Sequence, residues 1–189
     1  MKNKVSVVLL VLFLLLFISL ACSLTGNKDS SKDVLGETYR SESGGFSISK
    51  VKGFDFNDTI GIVNMTDPNG SMETGPGIMA TGGLSDAEYT SQDLMDKIKQ
   101  DESSGLELSK EKKVKIGGKE GLSAEVSGNY NNEDVAGRII VVMANPTQQF
   151  TLLGLAPKDK WKELEPIFEA VLDSVKFFEP NPEAETYEE

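Results

Sequence analysis

Ser47-Ile48-Ser49-Lys50 has the S-x-x-K spacing in which a lysine sits one helical turn from a serine nucleophile. That chemistry needs the serine at a helix start, with S-D-N and K-T-G partners. Here the motif falls in an alternating apolar run that reads as a strand, and neither partner occurs. Histidine is absent, which excludes Ser-His-Asp triads, imidazole acid–base steps and histidine metal sites. No nucleophile elbow, phosphate-binding loop or dinucleotide-binding glycine pattern is present. Asp67-Pro68-Asn69-Gly70-Ser71, with Glu73 close behind, shares residue types with calcium loops. It lacks their twelve-residue spacing and final bidentate glutamate, so it reads as a β-turn. Asp55, Asn57 and Asp58 form a second small oxygen cluster with the same reading. Among 30 acidic residues no spacing singles out a hydrolytic carboxylate pair. No catalytic residue, metal ligand or cofactor is assigned.

One thiol remains, Cys22. A lone cysteine excludes an internal disulfide, a Cys-x-x-Cys redox pair and a thiolate zinc site. It ends an uncharged run from Val5 to Ala21 that follows Lys2 and Lys4, the layout of a secretory signal peptide. Ser19-Leu20-Ala21-Cys22 resembles a bacterial lipobox, with Ser19 where an aliphatic residue is usual. The resemblance implies cleavage before Cys22 and a diacylglyceryl thioether on its sulfur. The alternatives are an uncleaved anchor, for which the run is just long enough, and plain secretion. Two or three acyl chains at ~0.8 kcal/mol per buried methylene hold a protein stably where one does not. Cys22 is therefore expected to be a lipid attachment point on an extracytoplasmic bacterial membrane surface.

Residues 22–36 follow as a polar, small-residue tether with a mean reach of roughly 20 Å. Residues 179–189 hold five glutamates and no base and read as an acidic disordered tail. The net charge of −11 becomes −13 without residues 1–21, with 17 basic against 30 acidic residues. An acidic body argues against nucleic acid and leaves the lipid, not the protein surface, to hold the membrane. Lys110, Lys112, Lys113, Lys115 and Lys119 make one basic block. It reads first as the solvated side of a hairpin and second as a docking face for an acidic partner.

The body, residues 37–178, must be built mostly of strands. Phe46, Ile48 and Val51 alternate, and Ile60 and Ile62 fall on one side of the next run. Capping boxes start at Ser85 and at Thr90, before a Leu94, Met95, Ile98 stripe that ends near Ser103-Ser104-Gly105. Val114 and Ile116, a Gly117-Gly118 turn, then Leu122, Ala124 and Val126 make a hairpin. Residues 135–144 read as the strongest, central strand, and a turn at 145–149 leads into another strand, 150–156. A last helix carries Trp161, Leu164, Phe168, Val171 and Val175 inward, with Pro166 expected to kink it or start a second helix. The sum is an α+β domain: an antiparallel sheet of about six or seven strands with helices packed on it.

That order, from "YRSESGGFSIS" through "VKIGGKEG" and "FTLLGLA" to "WKELEPIFEAVLDSVKFF", resembles the PsbP/Mog1/DcrB-like domains. Many members have a proline and a tryptophan soon after the first Phe strand, where this chain reads Val51-Lys52-Gly53-Phe54. The resemblance implies an α/β/α arrangement and no common activity, and no site residue is carried over. The expected function is a lipid-anchored envelope protein, a non-enzymatic binding or accessory module. It would be monomeric, held to the membrane through Cys22, with an envelope protein as possible partner. The alternative is an envelope hydrolase with an unrecognised carboxylate or serine site.

Overall fold

The computed structural model describes residues 33–70, 75–101 and 105–185. Its strands are β1 (Leu35–Ser41), β2 (Phe46–Val51), β3 (Asp55–Thr59), β4 (Ile62–Thr66), β5 (Gly77–Leu84), β6 (Leu106–Ile116), β7 (Lys119–Tyr130), β8 (Glu133–Asn145), β9 (Gln148–Pro157) and β10 (Lys176–Phe177). Helix α1 (Ser91–Gln100) lies between β5 and β6, α2 (Trp161–Ser174) between β9 and β10, and a 3-10 turn covers Pro182–Glu185. Seven strands form one antiparallel sheet in the order β3-β4-β5-β9-β8-β7-β6. β1, β2 and β10 form a second, three-stranded sheet. The α+β architecture expected from sequence is the one observed. The Phe46 strand, however, belongs to the smaller sheet.

The long strands follow one another because their turns permit it. Gly117-Gly118 and Asn131-Asn132 are two-residue connections with positive φ at all four positions, the geometry that matches strand twist. β8 and β9 are apolar on both sides, which makes them central. Ile140, Val142, Phe150 and Leu152 point into a first core, and Ile139, Val141, Leu153 and Leu155 into a second.

The first core lies under α2 and the smaller sheet. Leu164, Phe168 and Val171 of α2 are fully buried there with Phe46, Ile48 and Phe150. Gly154 of β9 leaves room for the Phe168 ring, which a Cβ at that position would strike. Trp161 is half-buried against this core and 6.0 Å from Phe168, so it anchors α2 as expected. Arg138 of β8 adds ion pairs to Glu165 and Glu169 of α2.

The second core lies under α1. Thr90 caps the helix: its hydroxyl accepts from the Asp93 N–H, and the Asp93 carboxylate accepts from the Thr90 N–H at 2.8 Å. The Ser91 hydroxyl accepts from the Met143 N–H at 3.0 Å and ties the helix start to β8. Met95 is then fully buried against Leu122, Ala124, Val126, Ile139 and Val141.

β6 serves both cores because it changes face. Its register shifts between Ser109 and Lys112, where Lys110 takes φ 51°. Leu106 and Leu108 before the bulge lie with the second core, and Val114 and Ile116 after it with the first. All four are even-numbered, so an unbroken period of two would have put them on one face.

Several expectations are corrected. Ile60 and Ile62 are 52% and 40% exposed, and Val63 and Met65 hold the core. The register is set one residue on by the turn at Ile60-Gly61, where both residues have positive φ. Ser85 starts no helix, because its hydroxyl donates to the carbonyls of Ala87 and Thr147. Pro166 starts no second helix, since α2 runs as one element across it. β1 begins at Leu35, so Leu35 and Gly36 belong to the fold and not to the tether. The start of the acidic tail is tied to the body as well: the Asn181 N–H donates to the Glu42 carbonyl at 2.7 Å. Buried Gln148 bridges the carbonyls of Gly45 and Phe178 with its Nε2, 2.9 Å from each. The signal segment 1–21, Cys22, Ser71, Glu73, Ser103-Ser104 and residues 186–189 lie outside the described residues.

Candidate binding groove

The residues that could have carried chemistry are not brought together. Ser47 is buried in mid-strand, opposite Arg40 and Lys176, not at a helix start. Lys50 on the same strand is committed elsewhere, donating to Glu37 at 2.6 Å and lying 4.3 Å from the centre of the Phe56 ring. Asp67 spends its carboxylate on its own turn, accepting from the Asn69 N–H and side-chain amide at 2.9 and 3.1 Å. Asp58 accepts from the Tyr39 hydroxyl at 2.7 Å. Among the described residues no three His, Cys, Asp or Glu side chains converge on a metal position.

Two carboxyls have shifted acidity, both on the surface. The Lys50 hydrogen bond, helped by its charge, lowers the Glu37 pKa, and the Thr90 hydrogen bonds lower that of Asp93. Both shifts are explained by local structural contacts, so neither marks a poised acid or base.

The basic block lies along β6, an outer strand of the large sheet. Lys110 pairs with Glu125 at 2.9 Å and Glu111 pairs with Lys99. Lys112, Lys113, Lys115 and Lys119 have no acidic partner among the described residues. Lysines on an outer strand discourage a second chain from adding to it, so the solvated-hairpin reading has a physical reason behind it.

What the residues build instead is a groove on the second-core face of the large sheet. A ten-residue helix is about 15 Å long, and seven strands are about 29 Å wide. Helix α1 packs on β7 and β8 and leaves the face of β4, β5 and β9 uncovered. Leu94 and Ile98 of α1 form one wall. Met79, Leu153, Ile139 and Leu108 form the floor of a hollow of about 350 Å³. A second hollow of about 300 Å³ continues from Met79, Leu106 and Leu153 towards Thr66, Leu155 and Tyr130. Both sizes suit a small-molecule or chain-like ligand. Among the described residues Ile62, Met79 and Tyr130 are three of the five exposed large hydrophobic ones, and all three lie on this stretch of the sheet or at its end. Thr81, Thr151 and Gln149 supply polar groups, and among the described residues Asp101 is the single ionisable side chain of the first hollow. Among the described residues no basic side chain lines either hollow.

Sequence reasoning missed this groove. The signal was present in "FTLLGLA": Leu153 and Leu155 alternate with Leu152 and so require a second buried face. The short Leu94–Ile98 stripe could cover only part of that face. Cys22, the assigned lipid site, lies outside the described residues.

No protein-family model matches the chain. No curated protein sequence matches it either. Solved structures do. A cyanobacterial PsbP (CyanoP) from Synechocystis sp. PCC 6803 superposes with a TM-score of 0.54 at 14% identity, over 75% of this chain and 92% of that one. LpqN of Mycobacterium tuberculosis, described as involved in cell envelope biogenesis, gives 0.55 at 12% identity over 82% and 88%. A Bacteroides thetaiotaomicron protein gives 0.54 at 13% identity over 76% of this chain and 49% of that one, about half its length. At these identities the likeness is one of fold.

Proposed function

With a PsbP-like domain as the premise, we propose that this chain is a lipid-anchored envelope protein that works by binding and not by catalysis. Its apolar groove would be the contact surface. The observation that carries the reading is the groove itself: an apolar floor and, among the described residues, one carboxylate, no basic side chain and no metal-type cluster. A site of that composition can hold an apolar group and orient it with a few hydroxyls and amides, and its one described carboxylate has no described base or cation beside it in the lining to form an acid–base pair. The lipobox-like Ser19-Leu20-Ala21-Cys22 supports the anchor. The envelope setting is in keeping with the involvement of LpqN in cell envelope biogenesis. No described helix is long and apolar enough to cross a membrane, so an anchor would have to come from elsewhere in the chain.

Two measurements test the proposal. N-phenyl-1-naphthylamine should brighten on binding the full chain, and Met79→Asp should weaken that binding at least tenfold. Equal binding by the variant would move the contact surface elsewhere. Cys22→Ser should leave an unprocessed precursor without acyl mass, and normal cleavage of that variant would remove the anchor.

A further inference from the structure

The groove has an apolar lining and, among the described residues, nothing seated in it. We propose that its occupant is one acyl chain carried by this protein's own Cys22. This rests on the lipidation reading above and assigns the groove a specific ligand: a neutral, covalently tethered hydrocarbon chain.

Four observations support it. The first is where the tether is rooted. The main-chain oxygens of Asp33 and Val34 accept from Lys52, at 3.0 Å from its Nζ and 2.9 Å from its N–H. Three residues later Asp55 opens β3, and it pairs with Thr66, which lines the lower hollow. The tether therefore leaves the body on the β3 side, from the small-sheet layer over the first core, and reaches the groove by rounding the β3 edge of the large sheet. The second is length. Eleven peptide links from Cys22 to Asp33 span up to about 36–40 Å extended. Rounding the edge adds about 10 Å of layer spacing to the roughly 10–15 Å across β3 and β4 to Met79 on β5, about 20–25 Å in all. The remaining slack keeps the local concentration of the chain high without straining the tether.

The third is charge. Among the described residues an anionic lipid head would meet Asp101 and no cation in the groove, within a body of strongly negative net charge. A thioether-linked glyceryl ester or an amide-linked acyl chain on Cys22 brings no charge. The fourth is composition. Residues 23–32, Ser-Leu-Thr-Gly-Asn-Lys-Asp-Ser-Ser-Lys, contain one apolar residue, Leu24. The tether cannot fill the hollows by itself, but its lipid can. Hollows of about 350 and 300 Å³ lie at the lower end of the ligand-cavity range, which suits one chain and not a full set. One chain in the groove leaves fewer in the bilayer, so the groove adjusts how firmly the body is held.

The test uses the acylated chain in nanodiscs of a zwitterionic phospholipid, with ¹³C-methyl methionine. Intact mass is read first; a chain without acyl mass would overturn the lipidation reading and this one with it. The comparison is the same body secreted behind a cleavable, non-lipoprotein leader with Cys22→Ser. The Met79 methyl resonance should differ between the two, while Met65, fully buried in the other core, should not. Deleting residues 24–31 shortens the tether below the required span without touching the fold, and should return Met79 to its unacylated position. Leu153→Asp should do the same. If acylation is present and Met79 is unmoved, the proposal is wrong. It is equally wrong if the shift survives the shortened tether. A shift that grows with protein concentration would assign the groove to a second copy instead.

Discussion

Asp93 and Thr90 show what single residues contribute here. The Asp93 carboxyl has its pKa lowered by the Thr90 hydroxyl and N–H. A group with a lowered folded pKa stabilises above its unfolded value, about 3.9 for Asp, and loses that contribution as pH falls through the folded one. Glu37, lowered by Lys50, adds in the same direction. Amide protection in α1 should therefore weaken progressively below about pH 4, and Asp93→Ala should remove that acid dependence for α1. An unchanged acid profile in the variant would show that the cap is not the titrating group. Thr90→Ala should cost about 1 kcal/mol. The Thr90 cap was legible in the sequence because the box is local. The idle box at Ser85 looked the same and failed for a non-local reason: its hydroxyl is claimed by Thr147, 62 residues away.

Among the elements, β6 carries the strongest constraint. Its bulge turns two even-numbered apolar pairs to opposite faces, and Lys110 sits there at φ 51°. Lys110→Gly should be neutral or stabilising by up to about 1 kcal/mol, since glycine takes that conformation without steric cost. Lys110→Val should destabilise by about 1–2 kcal/mol, because a β-branched side chain fits that region poorly. Urea denaturation would measure both, and equal midpoints for Gly and Val would mean the bulge relaxes freely. Hairpins and central strands could be read from alternation and turn residues, which act over a few positions. The bulge could not, because alternation looks unbroken in the sequence and only pairing with β7 reveals the extra residue. The same limit misplaced Ile60 and Ile62, whose turn shifted the pairing of β4 by one.

At the scale of the whole molecule, two cores share one sheet, with β8 and β9 contributing to both. A chain of residues 33–185 should therefore unfold as one unit. Trp161, half-buried against Phe168, should shift its emission to the red in the same urea transition that removes far-UV circular dichroism. Two separated transitions would mean that the layers fold independently. The α+β class was legible because strand and helix periods are long-range repetitions of a simple rule. The groove was not, because it exists only as a mismatch in size between α1 and the sheet it covers.

That mismatch also orders the molecule in time. Met95 is the only fully buried side chain of α1, whereas α2 buries five residues and is braced by Arg138. Opening events start where the fewest contacts must be given up. Amide hydrogens of α1 should exchange with deuterium well before those of β8, β9 and α2, with the sheet still intact beneath. A widened groove is then a routine excursion of the native protein, and any molecule that fills it should slow exchange in α1 first.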